Sequence, residues 1–393
     1  MMHLKYDITV VGAGPAGATA AYILGKKNHS VLLLDKAHFP RKKLCGGCLT
    51  IKTVWLLERI FNETAASLIE KSIVNFQTHR FEVRCRTKLL VDVLSPFPFH
   101  FVDRQVYDAF FLQKAKDVGV DVLEGEKVCD IDLNGKANSS TFFLTTSGGR
   151  LIETKFLIGA DGANSVVRTK LLKEKKIDGA KWQRNLAAGI EVFLSRNGEF
   201  AAFDSSILSL GYVRYGYAWI FPNRDRLVVG MGSLTRKNKN LKAHFQEFLS
   251  DYNLGSIDSQ PVQGHPLPFG NSLSKPFYGN ILLVGDAAGL VDPMLGEGIY
   301  QAHLSGELAA KAVIESLEHR AGSSEETGLL YLHLLEKHLA IEFLYARRFR
   351  WFLYNPLSHM INFRHIQWMD KYFTKFAEVV HGSRTYKWFK RKE

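Results

Sequence analysis

Cysteine is scarce in this chain: Cys45, Cys48, Cys85 and Cys129 among 393 residues. That is too few for a disulfide scaffold and fits a reducing, cytoplasmic setting. No apolar run reaches the roughly 18 residues of a membrane span. The chain enters its first strand-like run within a few residues, so no signal peptide is expected. Low-complexity tracts and internal repeats are also missing. So are a second CxxC, a His pair at ligand spacing and a second Gly-rich nucleotide fingerprint, and no metal ligand set is read. What remains is a soluble or peripheral α/β chain of two domains, or one large domain with an insertion.

Acidic residues are outnumbered, giving a formal charge of +12. The excess is concentrated between residues 341 and 393, where eleven Lys/Arg face four Asp/Glu among fourteen aromatics. That mixture suits an anionic lipid surface or the solvated side of an ordinary helical tail. Nucleic acid is not expected, because no nucleic-acid motif accompanies the charge.

The most informative stretch is KYDITVVGAGPAGATAAYILGKKNHSVLLLDK, Lys5 to Lys36. A β-branched run, Ile8 to Val11, reads as a buried strand. Gly12-x-Gly14-x-x-Gly17 then opens an Ala-rich helix, and a second strand, Val31 to Leu34, ends on Asp35. In a dinucleotide site Gly12 allows the tight turn, Gly14 lets backbone approach a pyrophosphate, and Gly17 seats the helix on the sheet. The helix N-terminus adds free N–H groups and a positive dipole end. Asp35 lies 18 residues past Gly17, near the roughly 20 expected of a ribose-binding acid. A purely structural glycine turn is the competing reading.

Helices are expected around Thr53–Ile60, Asp103–Lys116 and Leu241–Tyr252, and strands at Gly119–Leu123, Leu151–Ile158 and Ile281–Val284. Val128–Leu133 and Thr141–Thr146 read as a hairpin. Ser72 to Phe101 alternates as antiparallel strands do and is expected to close on the turn SPFPF. From Leu186 to Gly232 short aromatic strands follow one another. Ser323-x-x-Glu326 is a candidate capping box, with helix to Tyr354, a break at Pro356 and helix again to about Val380. Two further strands end in acid-bearing turns, at Asp161-Gly162 and Gly285-Asp286. Each is either a cofactor approach or a strand-to-helix turn with Asp as cap.

Taken in order, GAGPAG with Asp35, the ADG of 160–162, GDAAG at 285–289 and PMLGEGI at 293–299 resemble the fingerprints of FAD enzymes of the p-hydroxybenzoate hydroxylase fold. Within that group RKKLCGG (41–47) and YAWIFP (217–222) resemble the geranylgeranyl reductase family, whose members reduce isoprenoid double bonds in lipids, chlorophyll side chains or quinone tails. The resemblance covers about residues 5–320. It implies a discontinuous Rossmann-like FAD-binding domain (1–75, 102–180, 276–325), an inserted antiparallel-sheet substrate domain (76–101, 181–275) and a C-terminal helical region (326–393).

The resemblance also implies roles. Gly12, Ala13, Gly14, Pro15, Ala16 and Gly17 would surround the pyrophosphate, and Asp35 with Lys36 the adenosine ribose. Arg41, Arg104 and Val128 would contact the cofactor. Asp161 and Gly162 would support the path to the flavin, and Gly285 and Asp286 the ribityl chain. Gly296, Glu297 and Gly298 would reach the isoalloxazine edge, where a helix starting near Ile299 favours the anionic reduced ring.

Cys45, with Gly46, has four readings: a metal ligand with Cys48, a thioredoxin-like dithiol, inert packing, or, as the family implies, a group beside the flavin that helps catalysis. Cys48 is not part of the pattern, and Cys85 and Cys129 read as small hydrophobes. Tyr217, Trp219 and Phe221 share one strand face, as ordinary core or as the lining of an apolar substrate channel. The electron donor, NADPH, NADH or ferredoxin, and the oligomeric state are not encoded in any motif. Two alternatives to isoprenoid reduction share the fold: flavin monooxygenation of an apolar or aromatic molecule, and a non-catalytic FAD-holding membrane-surface protein. The WxWxIP run of flavin halogenases is absent.

Overall fold

The computed structural model describes residues 2–133, 141–180, 182, 185–257, 261–318, 324–354 and 370–389. Two eight-stranded sheets organise them. The first runs β15 (Phe277–Tyr278), β16 (Ile281–Leu283), β9 (Leu151–Gly159), β1 (His3–Val11), β2 (Val31–Asp35), β6 (Asp121–Glu124). From β16 to β6 the neighbours are parallel. The hairpin β7 (Val128–Asp132) and β8 (Phe142–Thr146) pairs with the opening half of β9. Val11, Leu34, Gly159 and Leu283 lie level in register. The turns bearing Gly12, Asp35, Asp161 and Asp286 therefore emerge on one edge, the carboxyl edge where open α/β sheets bind ligands.

Helix α1 (Pro15–Lys26) packs between α4 (Arg104–Asp117) and α7 (Ile299–Glu318). Small residues make that approach close. A Cβ at Gly17 would collide with the Gly12 carbonyl, and one at Gly306 with the Ala16 carbonyl. One buried imidazole ties the three helices: His303 shares hydrogen bonds with Thr19 Oγ1 (2.7 Å) and Tyr107 Oη (2.8 Å). Burial holds it near pKa 3, so it is neutral. Helices α2 (Ile51–Phe61), α3 (Ala65–Glu70) and α5 (Val166–Lys173) complete this half.

The second sheet runs β14 (Gln263–Leu267), β10 (Ala187–Ser195), β13 (Arg226–Leu234), β12 (Gly216–Pro222), β11 (Ser206–Leu210), β4 (Val74–Cys85), β5 (Lys88–Val102), β3 (Cys48–Leu49). Its neighbours are antiparallel except β11 and β4, which run parallel. Strand alternation sorts its residues. Ile190, Val192 and Val229 pack beneath α6 (Leu241–Asp251) with Phe245 and Phe248, while Ala187, Gly189 and Glu191 turn to the other face.

Two expectations are corrected. SPFPF is not a closing turn: Ser95–Phe99 lies inside β5, where the register is interrupted between Thr78/Phe99 and Arg80/Leu94. Prolines, having no N–H to donate, are accommodated at such an irregularity. Cys129 is exposed rather than packed. The C-terminal region is helical where described, as expected, and packs on the rest of the molecule. Helix α8 (Ser324–Leu335) packs on α7, and its Tyr331 hydroxyl donates to the Leu283 carbonyl at 2.8 Å. A π-helical stretch, Glu336–Ala340, leads into α9 (Ile341–Tyr354), and α10 (Asp370–His381) lies along β5. Ser323 and Pro356, of the expected cap and break, lie outside the described residues. No described helix is long and apolar enough to cross a membrane.

Candidate active site

A cavity of about 880 Å³ lies between the carboxyl edge of the first sheet and the inner face of the second. Gly12, Gly14, Pro15, Ala16, Asp35, Lys36, Arg41, Cys45, Gly46, Arg104, Val128, Asp161, Gly162, Gly285, Asp286, Gly296, Glu297, Gly298 and Ile299 all line it, as do Tyr217, Trp219 and Phe221. Of the singled-out residues only Ala13 and Gly17 stand back from it, both buried beneath the turn.

The nucleotide end is built by close backbone approach. Gly12 has φ +103°, and a Cβ there would strike the Ala160 carbonyl, so the first and second motifs touch. A Cβ at Gly14 would meet only the Arg41 guanidinium, at 3.5 Å. The start of α1 has no capping side chain and no acid in its first turn. Its free N–H groups therefore need an outside acceptor, which a pyrophosphate supplies. Asp35 accepts from the Ala13 N–H (2.8 Å) and the Ala37 N–H (2.9 Å). Each oxygen keeps a further lone pair for a ribose hydroxyl. Arg104 makes a two-pronged contact with buried Asp108 (2.7 and 2.9 Å), and Arg41 reaches the same carboxylate at 3.1 Å.

The cap reading of Asp161 is met by one of its two oxygens. One oxygen caps α5, accepting from Val166 N–H at 2.6 Å and Val167 N–H at 3.3 Å. The other, Oδ1, is buried without a partner, and burial raises the carboxyl's pKa. An orphaned acceptor on the cavity wall fits a cofactor hydroxyl. Arg168, which the motif did not single out, donates to the carbonyls of Ala163 (2.6 Å) and Ala287 (3.2 Å), locking the second turn to the third.

The loop before α7 is pinned from β12 and from the start of α2. Gly296 adopts φ +69°, and the Tyr217 hydroxyl donates to the adjacent Leu295 carbonyl. Glu297 accepts from Thr50 Oγ1 at 2.6 Å and pairs with Lys52 Nζ at 2.5 Å, both groups nearly buried. Its carboxylate is thus committed to holding the loop. Gly298 and Ile299, at the N-terminus of the 20-residue α7, face the cavity.

The far wall is apolar: Phe81, Phe99, Leu208, Phe269, Leu295 and Val380 line it. Val380 belongs to α10, so the C-terminal region closes this end. Trp219 lies between Tyr217 and Phe221, its ring centroid 5.9 and 6.3 Å from theirs. The glycines of VVGMG make room for it. A Cβ at Gly230 would overlap the indole, and one at Gly46 would meet Phe221 at 2.8 Å. Cys45 Sγ accepts from the Gly47 N–H at 3.4 Å and sits beside Arg104. Burial raises the Cys48 thiol well above its ordinary pKa, an inert state rather than a redox one. Among the described residues no group of three or more His, Cys, Asp or Glu could hold a metal ion.

Sequence reasoning passed over Lys43, Glu191 and His265, all on the cavity wall. Burial lowers the Lys43 pKa, with Asp286 opposing. Burial and the cations Lys43 and Arg104 hold His265 near pKa 3. Glu191 is pushed up to about 7 by burial, partly offset by the Cys45 backbone, Lys43, Arg104 and Trp219. The available signal was a lone acid in the apolar strand AAGIEVFL.

Comparison with known proteins agrees with this architecture. Residues 5–188 match the FAD binding domain family. The chain is 31% identical over 323 residues to menaquinone reductase of Mycobacterium tuberculosis, covering 78% of this chain and 76% of that one. It is 28% identical to geranylgeranyl diphosphate reductase of Rhodobacter capsulatus, over 84% and 82% of the two chains. A geranylgeranyl bacteriochlorophyll reductase-like protein of Thermoplasma acidophilum superposes with TM-score 0.77 at 19% identity, over 96% of each chain. The fold is that of an FAD-dependent oxidoreductase. The chain belongs to the geranylgeranyl reductase family of these enzymes.

Proposed function

We propose that this enzyme reduces carbon–carbon double bonds of an isoprenoid chain carried on a lipid or quinone. The observation that carries the reading is the continuity of one cavity, from the nucleotide turns at Gly12, Asp161 and Asp286 to the aromatic and aliphatic wall around Trp219 and Phe99. An apolar chain gains from such a lining. The names of the relatives, which act on menaquinone and geranylgeranyl diphosphate, support the same substrate class.

In this reading FAD, when bound, supplies the hydride that a C=C bond takes on one carbon. The chain's own residues do the rest. Gly12, Gly14 and the start of α1 hold the phosphates, Asp35 the adenosine ribose, and Asp161 and Asp286 the hydroxyls nearer the ring. The loop Gly296–Gly298, fixed by Tyr217, Thr50 and Lys52, presents backbone to the ring edge. Trp219, Phe221 and Phe99 exclude water and align the prenyl chain. Cys45, on the loop that lies against Phe221, is assigned to the reacting end.

We further assign the exposed side of α9 to contact with an anionic membrane surface. Ile341, Leu344 and Trp351 are 47%, 40% and 63% exposed, and Arg347 and Arg348 share that exposed face. Aromatic, aliphatic and cationic groups together suit a headgroup layer. Sedimentation with anionic vesicles tests the face. Substrate class is tested by anaerobic incubation of the reduced holoenzyme with menaquinone or geranylgeranyl diphosphate, followed by mass spectrometry. A gain of hydrogen pairs on the prenyl chain is expected. Unchanged lipids alongside oxygen-dependent hydroxylation of an aromatic compound would replace the reading with monooxygenation.

A further inference from the structure

The floor of the cavity carries polar atoms that the fold itself leaves unanswered. In register across the second sheet lie Gln263 on β14, Glu191 on β10, Gly230 on β13 and Trp219 on β12. Gly230 has no side chain, and a Cβ there would fall 2.7 Å from Glu191 Cγ and inside the indole. Glu191 and Trp219 therefore meet over bare backbone. Glu191 is 1% exposed. Its Oε2, the Trp219 Nε1 and the nearby His265 Nε2 are all buried and make no well-formed hydrogen bond, the Trp219 and Cys45 N–H groups only leaning toward the carboxylate. Three such orphans on one cavity wall are costly unless something bound there uses them.

We propose that Glu191 holds the proton that is delivered to the substrate's double bond, an inference that rests on the isoprenoid reading above. The groups facing it are Lys43, Arg104 and the Cys45 backbone from the opposite loop and helix, Trp219 from β12, and His265 on β14. His265 is neutral, and its one remaining N–H is far too weak an acid to protonate an alkene. The two cations are too few to ionise a carboxyl so deeply buried, and its pKa near 7 keeps it protonated in slightly acid solution. In the step, the π bond breaks and one carbon takes the hydride from reduced FAD. The other carbon takes the Glu191 proton, FAD is left oxidised, and the carboxylate regains its proton from solvent.

The test uses FAD-loaded protein and the variants Glu191→Gln and Glu191→Asp. Infrared spectroscopy of holoprotein with labelled glutamate should show a protonated carboxyl that is lost as pH rises through about 7 and is absent in Glu191→Gln. Turnover of geranylgeranyl diphosphate or menaquinone should fall along the same pH limb. Glu191→Gln should lower turnover by about 10²–10⁴-fold and abolish the limb, and Glu191→Asp should restore part of both. Equal FAD content in the variants separates this from misfolding. A pH limb that survives in Glu191→Gln, or a carboxyl signal unaffected by the substitution, overturns the proposal. A titrating carboxyl in a protein that reduces neither compound at any pH overturns the isoprenoid reading, and the proton's destination with it.

Discussion

Replacing Lys52 with Met should destabilise the protein far more than removing a surface lysine would. Lys52 Nζ lies 2.5 Å from Glu297, with side-chain exposures of 17% and 9%. Coulomb attraction at that distance is about 6–7 kcal/mol for an effective dielectric near 20. Desolvating each ion costs several kcal/mol, so the intact pair contributes little net stability. Removing only the cation is different. Glu297 keeps the Thr50 hydrogen bond but loses its countercharge, and buried Asp292, whose pKa Lys52 helps to lower, loses the same cation. The expected loss is about 3–5 kcal/mol. In Lys52→Met/Glu297→Gln most of that loss should return, giving a coupling of about 2 kcal/mol or more in a double-mutant cycle. Because Glu297 sits in the loop Gly296–Gly298, FAD affinity should fall with stability. Denaturant unfolding of the four proteins, with FAD titration in parallel, measures both. A single variant within about 1 kcal/mol of wild type, or a double variant as unstable as the single, refutes the reasoning.

Gly230→Ala places a methyl inside the Trp219 indole and should cost about 1–3 kcal/mol, with quenched or shifted tryptophan fluorescence as the local report. The Glu191 carboxyl binds its proton more tightly folded, near 7, than unfolded, near 4.5. Its contribution to stability is therefore present below the unfolded value and lost as pH rises to the folded one, about 3 kcal/mol in all. Glu191→Gln should accordingly gain on wild type between about pH 5 and about pH 8 in denaturant unfolding, and parallel pH profiles would contradict the assignment. Cys45→Ser should lower turnover with FAD content intact, and unchanged turnover removes Cys45 from catalysis.

Much of this site was legible because backbone demands leave strong traces. Gly12 and Gly17 are places where a Cβ has no room, and Asp35, Asp161 and Asp286 close strands that had to be buried. The alternation of Tyr217, Trp219 and Phe221 was likewise readable, since a strand has a period of two. What was hidden depends on contacts between segments far apart in the chain. Glu191 looks like a solvated acid until β14, β13 and the Cys45 loop enclose it. Lys52 looks like a helix-surface lysine until Glu297, 245 positions later, meets it. The SPFPF segment has the composition of a turn, but its register interruption accommodates both prolines within a strand. The C-terminal helices carry no motif, so only packing shows that Val380 walls the cavity.

The central claim is that one flavin-binding cavity continues into a space for a prenyl chain. It is tested most directly by mixing the photoreduced holoenzyme with geranylgeranyl diphosphate or menaquinone without oxygen and following the flavin absorbance. Reoxidation matched by a prenyl product richer by two hydrogens per flavin is predicted. A reduced flavin that stays reduced beside every prenyl compound, yet is discharged by oxygen alone, would contradict the account.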